Sequence, residues 1–183
     1  MRIRWLTFYL LTTALVVAVG VNFPTKQSCD SPDSRWSVKC VTETEGGSFL
    51  HKLFLIRHGE TLKKFVYASG RNCDVLWCGD SQRFAITDWL GSNCSDVFIA
   101  TVTEPGTPVS LRVRGLDKII QKAELQGHCY REAMRWEDSK RLNIRIFGHT
   151  DENPSHGFTY YLLVDVSTGT AKLLKKENKE PNN

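Results

Sequence analysis

The sequence predicts a mostly β protein, folded as an antiparallel meander with one or two short helices. Apolar and polar residues alternate in many short segments, which is the period of a β-strand. Turn-forming groups such as Glu45-Gly46-Gly47 separate these segments. Apolar residues recur at helical spacing in one stretch, from Leu116 to Ala123, and Gly127 then ends the helix. The 183 residues provide enough chain for one domain of ordinary size.

The predicted strands follow one another with short polar turns between them. The stretch from Cys129 to Trp136 comes after the helix, and we expect it to extend that helix or to form a second one. About eight or nine strands with so few helices are typical of an antiparallel β domain. We predict strands at Trp36–Cys40, Phe49–Ile56, Leu62–Ala68, Cys73–Trp77, Phe84–Thr87, Asp96–Val102, Leu142–Phe147, Phe158–Val166 and Ala171–Leu174.

The N-terminal segment predicts export from the cytoplasm. Arg2 and Arg4 precede an uncharged apolar run through residues 5–21, as in a secretory signal peptide spanning residues 1–20. The same run lies near the lower limit of the roughly 17–25 residues that cross a bilayer, so a retained inner-membrane anchor is the alternative. Either way, the rest of the chain is periplasmic, secreted or anchored facing outside the cytoplasm. We divide that part into a linker (21–34), a β-rich domain (35–176) and a polar tail (177–183).

Composition and charge exclude several classes of protein. With 41% hydrophobic and 24% charged residues, the chain is neither disordered nor a multi-pass membrane protein. Its net charge of +4 becomes +2 without Arg2 and Arg4, and the basic residues are interspersed with acids. This balance does not predict nucleic-acid binding. No motif in the sequence predicts a cofactor, and the oligomeric state is left open.

The cysteines predict disulfides. An even number of cysteines in an exported chain favours disulfides over metal binding, and their spacing matches no structural zinc site. Cys29 and Cys40 form the most local candidate pair, and the pairing of the other four is left open. The six cysteines are Cys29, Cys40, Cys73, Cys78, Cys94 and Cys129.

One motif resembles the signature of the histidine phosphatase superfamily. An apolar strand runs into Arg57-His58-Gly59-Glu60-Thr61. The resemblance implies that His58 is a nucleophile that accepts a phosphoryl group and that Arg57 binds phosphate oxygens. It also implies a second arginine, an acidic residue and a second histidine at the end of another strand, and His149 is the positional candidate for that histidine. The candidate catalytic residues of this alternative are Arg57, His58, Glu60 and His149. A secreted phosphatase is therefore the alternative function.

A longer stretch resembles the blade repeat of bacterial propeller proteins. The segment 74–87 has a tryptophan, an Asp-Ser turn and an apolar strand in the order of that repeat, and the resemblance extends over about residues 48–103 and 140–175. A closed propeller needs at least about four blades, so the resemblance implies a partial propeller or a curved sandwich. Propeller-like blades bind partners through their loops more often than they catalyse reactions.

Two long polar loops and the hairpin tip at Arg57 to Glu60 are the places where we expect a partner to bind. The spacing of His149, Asp151 and His156 matches no standard metal loop, so we interpret them as binding residues and predict no metal. We predict a binding or inhibitory module of the cell envelope, with another exported protein as its partner and no catalytic residues of its own. A membrane-anchored structural component is a further alternative. The predicted binding residues are Trp89, Ser92, Asn93, Asp96, His149, Asp151, Glu152 and His156.

Overall fold

The structure, a computed structural model, describes residues 20–103 and 107–179 of the chain. Within these ranges, thirteen strands accompany one short α-helix and one 3₁₀ turn. All pairings between these strands are antiparallel. The predicted fold class, a mostly β antiparallel meander with few helices, is confirmed.

The strands form three sheets. The 3₁₀ turn Leu116–Lys118 and the helix α1 (Lys122–Gln126) connect the last two of these sheets along the chain. In chain order, the strands are β1 (Val21–Phe23), β2 (Ser28–Asp30), β3 (Trp36–Glu45), β4 (Ser48–Arg57), β5 (Lys63–Ser69), β6 (Cys73–Trp77), β7 (Arg83–Asp88), β8 (Asp96–Thr101), β9 (Val109–Ser110), β10 (His128–Trp136), β11 (Arg141–His149), β12 (Gly157–Asp165) and β13 (Ala171–Lys179). Strands β2 to β5 form the first sheet; β6 to β9, with β1 beside β6, form the middle sheet; and β10 to β13 form the third sheet.

The middle sheet packs on both of its faces, which creates two hydrophobic cores. On β7, Phe84 and Ile86 face the first sheet, whereas Ala85 faces the third. A strand covered on both faces is expected to be buried over most of its length, as β7 is. The first core includes Phe23, Val38, Leu53, Leu55, Val66, Val75, Trp77 and Phe84. The second core includes Leu76, Val97, Leu116, Ile120, Leu142, Ile144, Ile146, Tyr160 and Leu162.

The predicted helix is present, but it is short and divided. Leu116 and Ile120 bury their side chains in the second core, and α1 begins after Gln121 with a capping box to Glu124. The prediction of helix for residues 129–136 is wrong, because this stretch is the strand β10. It pairs with β11 along its length, from His128 opposite His149 onwards. These non-local backbone hydrogen bonds outweigh the local preference for a helix.

The predicted boundaries of the β-rich domain need correction at both ends of the chain. Residues 21–34, predicted as a linker, contain β1 and β2, and Phe23 is fully buried in the first core. The predicted polar tail begins too early, because β13 continues to Lys179 and places Glu177 opposite Thr159. β1 and β2 were missed because each has only three residues, and β1 also depends on a partner far away in sequence. The end of β13 was missed because its residues are polar.

The targeting segment lies almost entirely outside the described residues, since residues 1–19 are not among them. The signal peptide and the alternative anchor therefore stay predictions. Within residues 20–103 and 107–179, no helix is long and apolar enough to cross a membrane.

The predicted disulfides are not supported, because all six cysteines are unbonded in the structure. Cys40 and Cys73 lie in the first core, and Cys29, the predicted partner of Cys40, packs against that core. Cys94 and Cys129 are opposite one another in an isolated bridge between the loop before β8 and the start of β10.

Thiol labelling tests whether the six cysteines are free, as in the structure, or form disulfides, as the sequence predicts. Burial is the main cause that raises the pKa of Cys73 to about 12 and that of Cys78 to about 11. Because the thiolate is the reactive form, we expect both residues to resist alkylation in the native protein at neutral pH. After denaturation without reductant, mass spectrometry should find six labels on the chain. Fewer labels, restored to six by a reductant, would instead support the predicted disulfides.

Candidate functional site

The two predicted binding loops meet at the start of β10. In the first loop, the carbonyl oxygen of Asn93 accepts a hydrogen bond of 3.0 Å from the backbone N–H of Cys129. The carbonyl oxygen of Ser92 accepts one from the hydroxyl of Tyr130. The second loop begins at His149, which pairs with His128 at the same end of β10. The antiparallel pairing of β10 with β11 therefore brings the beginnings of the two loops together.

An aromatic cluster, formed by Trp89, Tyr130 and Phe147, lies at this junction. The ring centroids of Tyr130 and Phe147 are 5.3 Å apart, and that of Trp89 is 6.3 Å and 6.4 Å from them. The guanidinium carbon of Arg145 lies 4.4 Å from the centroid of Phe147, a cation–π distance, while Arg145 is also paired with Glu132. All three rings are half-buried, so part of each is accessible to a partner.

His128 and His149 stack beside this cluster. Their ring centroids are 4.3 Å apart, and the rings are nearly parallel. Nε2 of His128 lies 4.0 Å from a carboxylate oxygen of Asp151, which is too long for a hydrogen bond. In the described part of the chain, no three histidine, cysteine or acidic side chains are placed to hold a metal ion.

The other predicted binding residues have separate surroundings. Asp96 accepts hydrogen bonds from Arg131 at 3.2 Å and from Ser110 at 2.8 Å, which makes it a structural link between strands. Glu152 is exposed, as is Asp151. His156 lies at the far end of its loop, where Nδ1 is 2.6 Å from the side-chain oxygen of Asn153. The predicted residues therefore do not form one site.

A cleft of about 600 Å³ opens on the other side of Trp89. We call it the Trp89 cleft. It collects residues from β1, β4, the β5–β6 connection and the segment after β7. It is lined by Asn22, Phe49, His51, Gly70, Arg71, Asn72 and Trp89.

Asp74 fixes the wall of the Trp89 cleft. One of its carboxylate oxygens accepts a hydrogen bond of 2.7 Å from the indole N–H of Trp89, and the other accepts one of 2.7 Å from the amide of Asn22. The backbone N–H of Trp89 also donates to the carbonyl of Asn72 at 3.3 Å. The indole is therefore held in place before any ligand arrives.

Three side chains of the cleft are of use to a ligand: the ring of Phe49, the guanidinium of Arg71 and the imidazole of His51. Phe49 is 63% exposed, whereas His51 is only 7% exposed. Nδ1 of His51 forms a hydrogen bond of 2.9 Å with the hydroxyl of Thr42, so Nε2 is the nitrogen left for a ligand. The guanidinium of Arg71 is exposed and makes no ion pair with the described residues.

The residues of the phosphatase motif are in a different place. Arg57 is the last residue of β4, His58 and Glu60 lie in the turn before β5, and Arg57 pairs with Glu60 at 3.2 Å. Nε2 of His58 lies 3.5 Å from Asp30. His149 belongs to the third sheet, and its contacts are with His128 and Thr150 rather than with this turn. The described sheets are also antiparallel, whereas the phosphatase superfamily has a parallel sheet covered by helices.

The sequence revealed only part of the Trp89 cleft. Trp89 was predicted as a binding residue, but Asn22, His51, Arg71 and Asn72 were not. His51 is buried at a position where burial alternates along β4, from Leu50 to Leu55, so nothing in the pattern marks it as part of a cleft. Arg71 is an ordinary loop residue in the sequence, and only its position in the fold places it beside Trp89.

No protein-family model matches the chain, and no curated protein matches it.

Proposed function

We propose that the chain is a binding module of the cell envelope, and that the Trp89 cleft and the aromatic cluster form its binding surface. The observation that carries this proposal is the position of Trp89, which is shared between the cleft and the cluster. Around it lie Phe49, Arg71, Tyr130 and Phe147. Trp, Tyr and Arg are the residues most enriched at the energetic centres of protein interfaces.

The chemistry of the cleft favours binding over catalysis. Of the residues that line it, His51 is the one with an imidazole, and its Nδ1 is already bonded to Thr42. Among the described residues that line the cleft, none has a carboxylate, thiol or hydroxyl to act with it. A general acid–base pair or an activated nucleophile needs such a partner.

We propose that the partner is an exported protein that inserts an acidic and aromatic segment into the Trp89 cleft. A carboxylate of that segment binds Arg71, because a guanidinium without an ion pair gains a charge-assisted hydrogen bond when it meets a carboxylate. An aromatic or apolar side chain packs between Trp89 and Phe49. Asn72, which also lines the cleft, adds a side-chain amide that can recognise the backbone of the same segment. A cleft of this volume is within the range that accommodates such groups.

Peptide selection tests the proposal. The purified exported chain is used to select from a displayed library of random peptides, and we expect the selected sequences to combine an acidic residue with an aromatic one. For a selected peptide, Arg71→Ala or Trp89→Ala should raise the Kd by about 30-fold, the effect of an interface residue worth roughly 2 kcal/mol.

Arg112→Ala is the matched control, because Arg112 is also exposed and has no ion pair with the described residues but lies outside the Trp89 cleft. It should leave the Kd unchanged. Selection of peptides without acidic residues would contradict the proposal, and so would equal losses of affinity in Arg71→Ala and Arg112→Ala.

A further inference from the structure

A second cleft, of about 310 Å³, lies between α1, the loop after β11 and the strand β13. We call it the Lys176 cleft. It shares no lining residue with the Trp89 cleft. Most of its lining residues are polar, and these include Gln121, Glu124, Asn153, His156, Lys176 and Asn178.

A buried carboxylate forms the floor of this cleft. Glu124 is 9% exposed. Its Oε2 accepts hydrogen bonds from the hydroxyl of Tyr160 at 2.7 Å and from the backbone N–H of Gln121 at 3.0 Å. These bonds satisfy Oε2 within the protein, and Oε1 faces the ammonium group of Lys176.

Glu124 and Tyr160 instead position the ammonium group of Lys176. Nζ of Lys176 lies 3.7 Å from Oε1 of Glu124 and 4.8 Å from the centroid of the Tyr160 ring. The hydroxyl of Tyr160, followed by the charge of Glu124, raises the pKa of Lys176, so the side chain stays charged. At 3.7 Å the carboxylate takes no hydrogen bond from the ammonium, which leaves N–H groups available towards the cleft.

The other side chains of the cleft also present donors. The side-chain oxygen of Asn153 is occupied by Ser155 and His156, at 3.0 Å and 2.6 Å, so its amide N–H groups are left for a ligand. Asn178 and Gln121 add further side-chain amides to the lining. One cation surrounded by neutral amide donors suits a group with a single negative charge and two acceptor oxygens.

We infer that the Lys176 cleft binds a small organic molecule through a carboxylate group. Lys176 pairs with the carboxylate, and the amides of Asn153 and Asn178 donate hydrogen bonds to its oxygens. Glu124 and Tyr160 act as positioning residues that hold the ammonium in place. A doubly charged phosphate is less well matched, because Glu124 already offsets part of the single positive charge.

Ligand-observed NMR on the exported chain tests this inference. The probes are acetate, benzoate and N-acetylglycine, each beside its uncharged amide analogue, and inorganic phosphate. We expect at least one carboxylate to bind and its amide analogue not to bind. Lys176→Met should raise the Kd of that carboxylate by about tenfold or more, which is the effect of losing a charged hydrogen bond.

Lys175→Met is the matched control. Lys175 is the adjacent residue in β13, is more exposed and pairs with Glu177. It should leave carboxylate binding unchanged, and circular dichroism should show both variants folded. The inference is overturned if no carboxylate binds, if phosphate alone binds, or if the two variants lose binding equally. Lys175 and Lys176 lie outside the Trp89 cleft. A negative result in this experiment therefore does not bear on the peptide selection.

Discussion

Replacing Phe84 with alanine should lower the free energy of unfolding by about 3–5 kcal/mol, as truncation of a buried phenylalanine generally does. Phe84 is fully buried in β7, the strand at the centre of the middle sheet. Its ring centroid lies 4.7 Å from that of Trp77, and the rest of its surroundings belong to the first core. With both faces of the middle sheet covered, the neighbouring side chains have little freedom to fill the cavity.

Chemical denaturation followed by circular dichroism measures this effect. Phe65→Ala is the matched control, because Phe65 is also on a strand but is 54% exposed and contacts Phe54 at its edge. We expect it to cost less than about 1 kcal/mol. A typical domain is stable by only about 5–15 kcal/mol, so Phe84→Ala removes a large share of the total. If the two variants lose similar amounts of stability, Phe84 is not buried in the first core as the structure indicates.

The sequence predicted the local parts of the fold well. The turn at Gly46 and Gly47 illustrates why: both residues have positive φ, at 57° and 83°, which glycine adopts without steric cost. Such a turn is specified by the residues that form it, and it connects the two long strands β3 and β4. Strand alternation is equally local. Neither feature requires knowledge of a distant partner.

The missing parts of the fold depend on distant partners. The short strand β1 exists because Val21 pairs with Val75, more than fifty positions later in the printed sequence. The short strand β2 pairs with the next strand, β3, and it also has a distant partner, because the indole of Trp77 donates to the Cys29 carbonyl at 3.1 Å. No window of sequence around residues 21–34 contains that information, so the segment resembles a linker.

The same reasoning applies to the candidate site. Trp89 could be predicted, because a tryptophan in a polar loop after a strand is conspicuous. Asn22, His51 and Arg71 could not, because they come from separate segments that only the pairing of the sheets brings together. Asp74 is the clearest example: it joins Trp89 to Asn22, yet in the sequence it is only one polar position in a strand.

Replacing Gly148 with alanine should destabilise the third sheet by about 3 kcal/mol or more, the range of severe backbone strain. A Cβ atom at this position would lie 1.7 Å from the carbonyl oxygen of His128 and 2.7 Å from its carbonyl carbon. Both are backbone atoms of the paired strand, so no side-chain rotation relieves the clash. β10 and β11 would have to separate where Cys129 pairs with Gly148.

Gly79→Ala is the matched control, because no atom lies within 4 Å of a Cβ built there. It should change the free energy of unfolding by less than about 1 kcal/mol. Hydrogen exchange should show that Gly148→Ala loses protection first in β10, near Tyr130, while the first sheet stays protected. Since Tyr130 belongs to the aromatic cluster, the same variant should also weaken peptide binding at Trp89. Equal stability of the two variants would mean that β10 and β11 approach less closely than the structure indicates, and the aromatic cluster would then lack the support that holds it beside the Trp89 cleft.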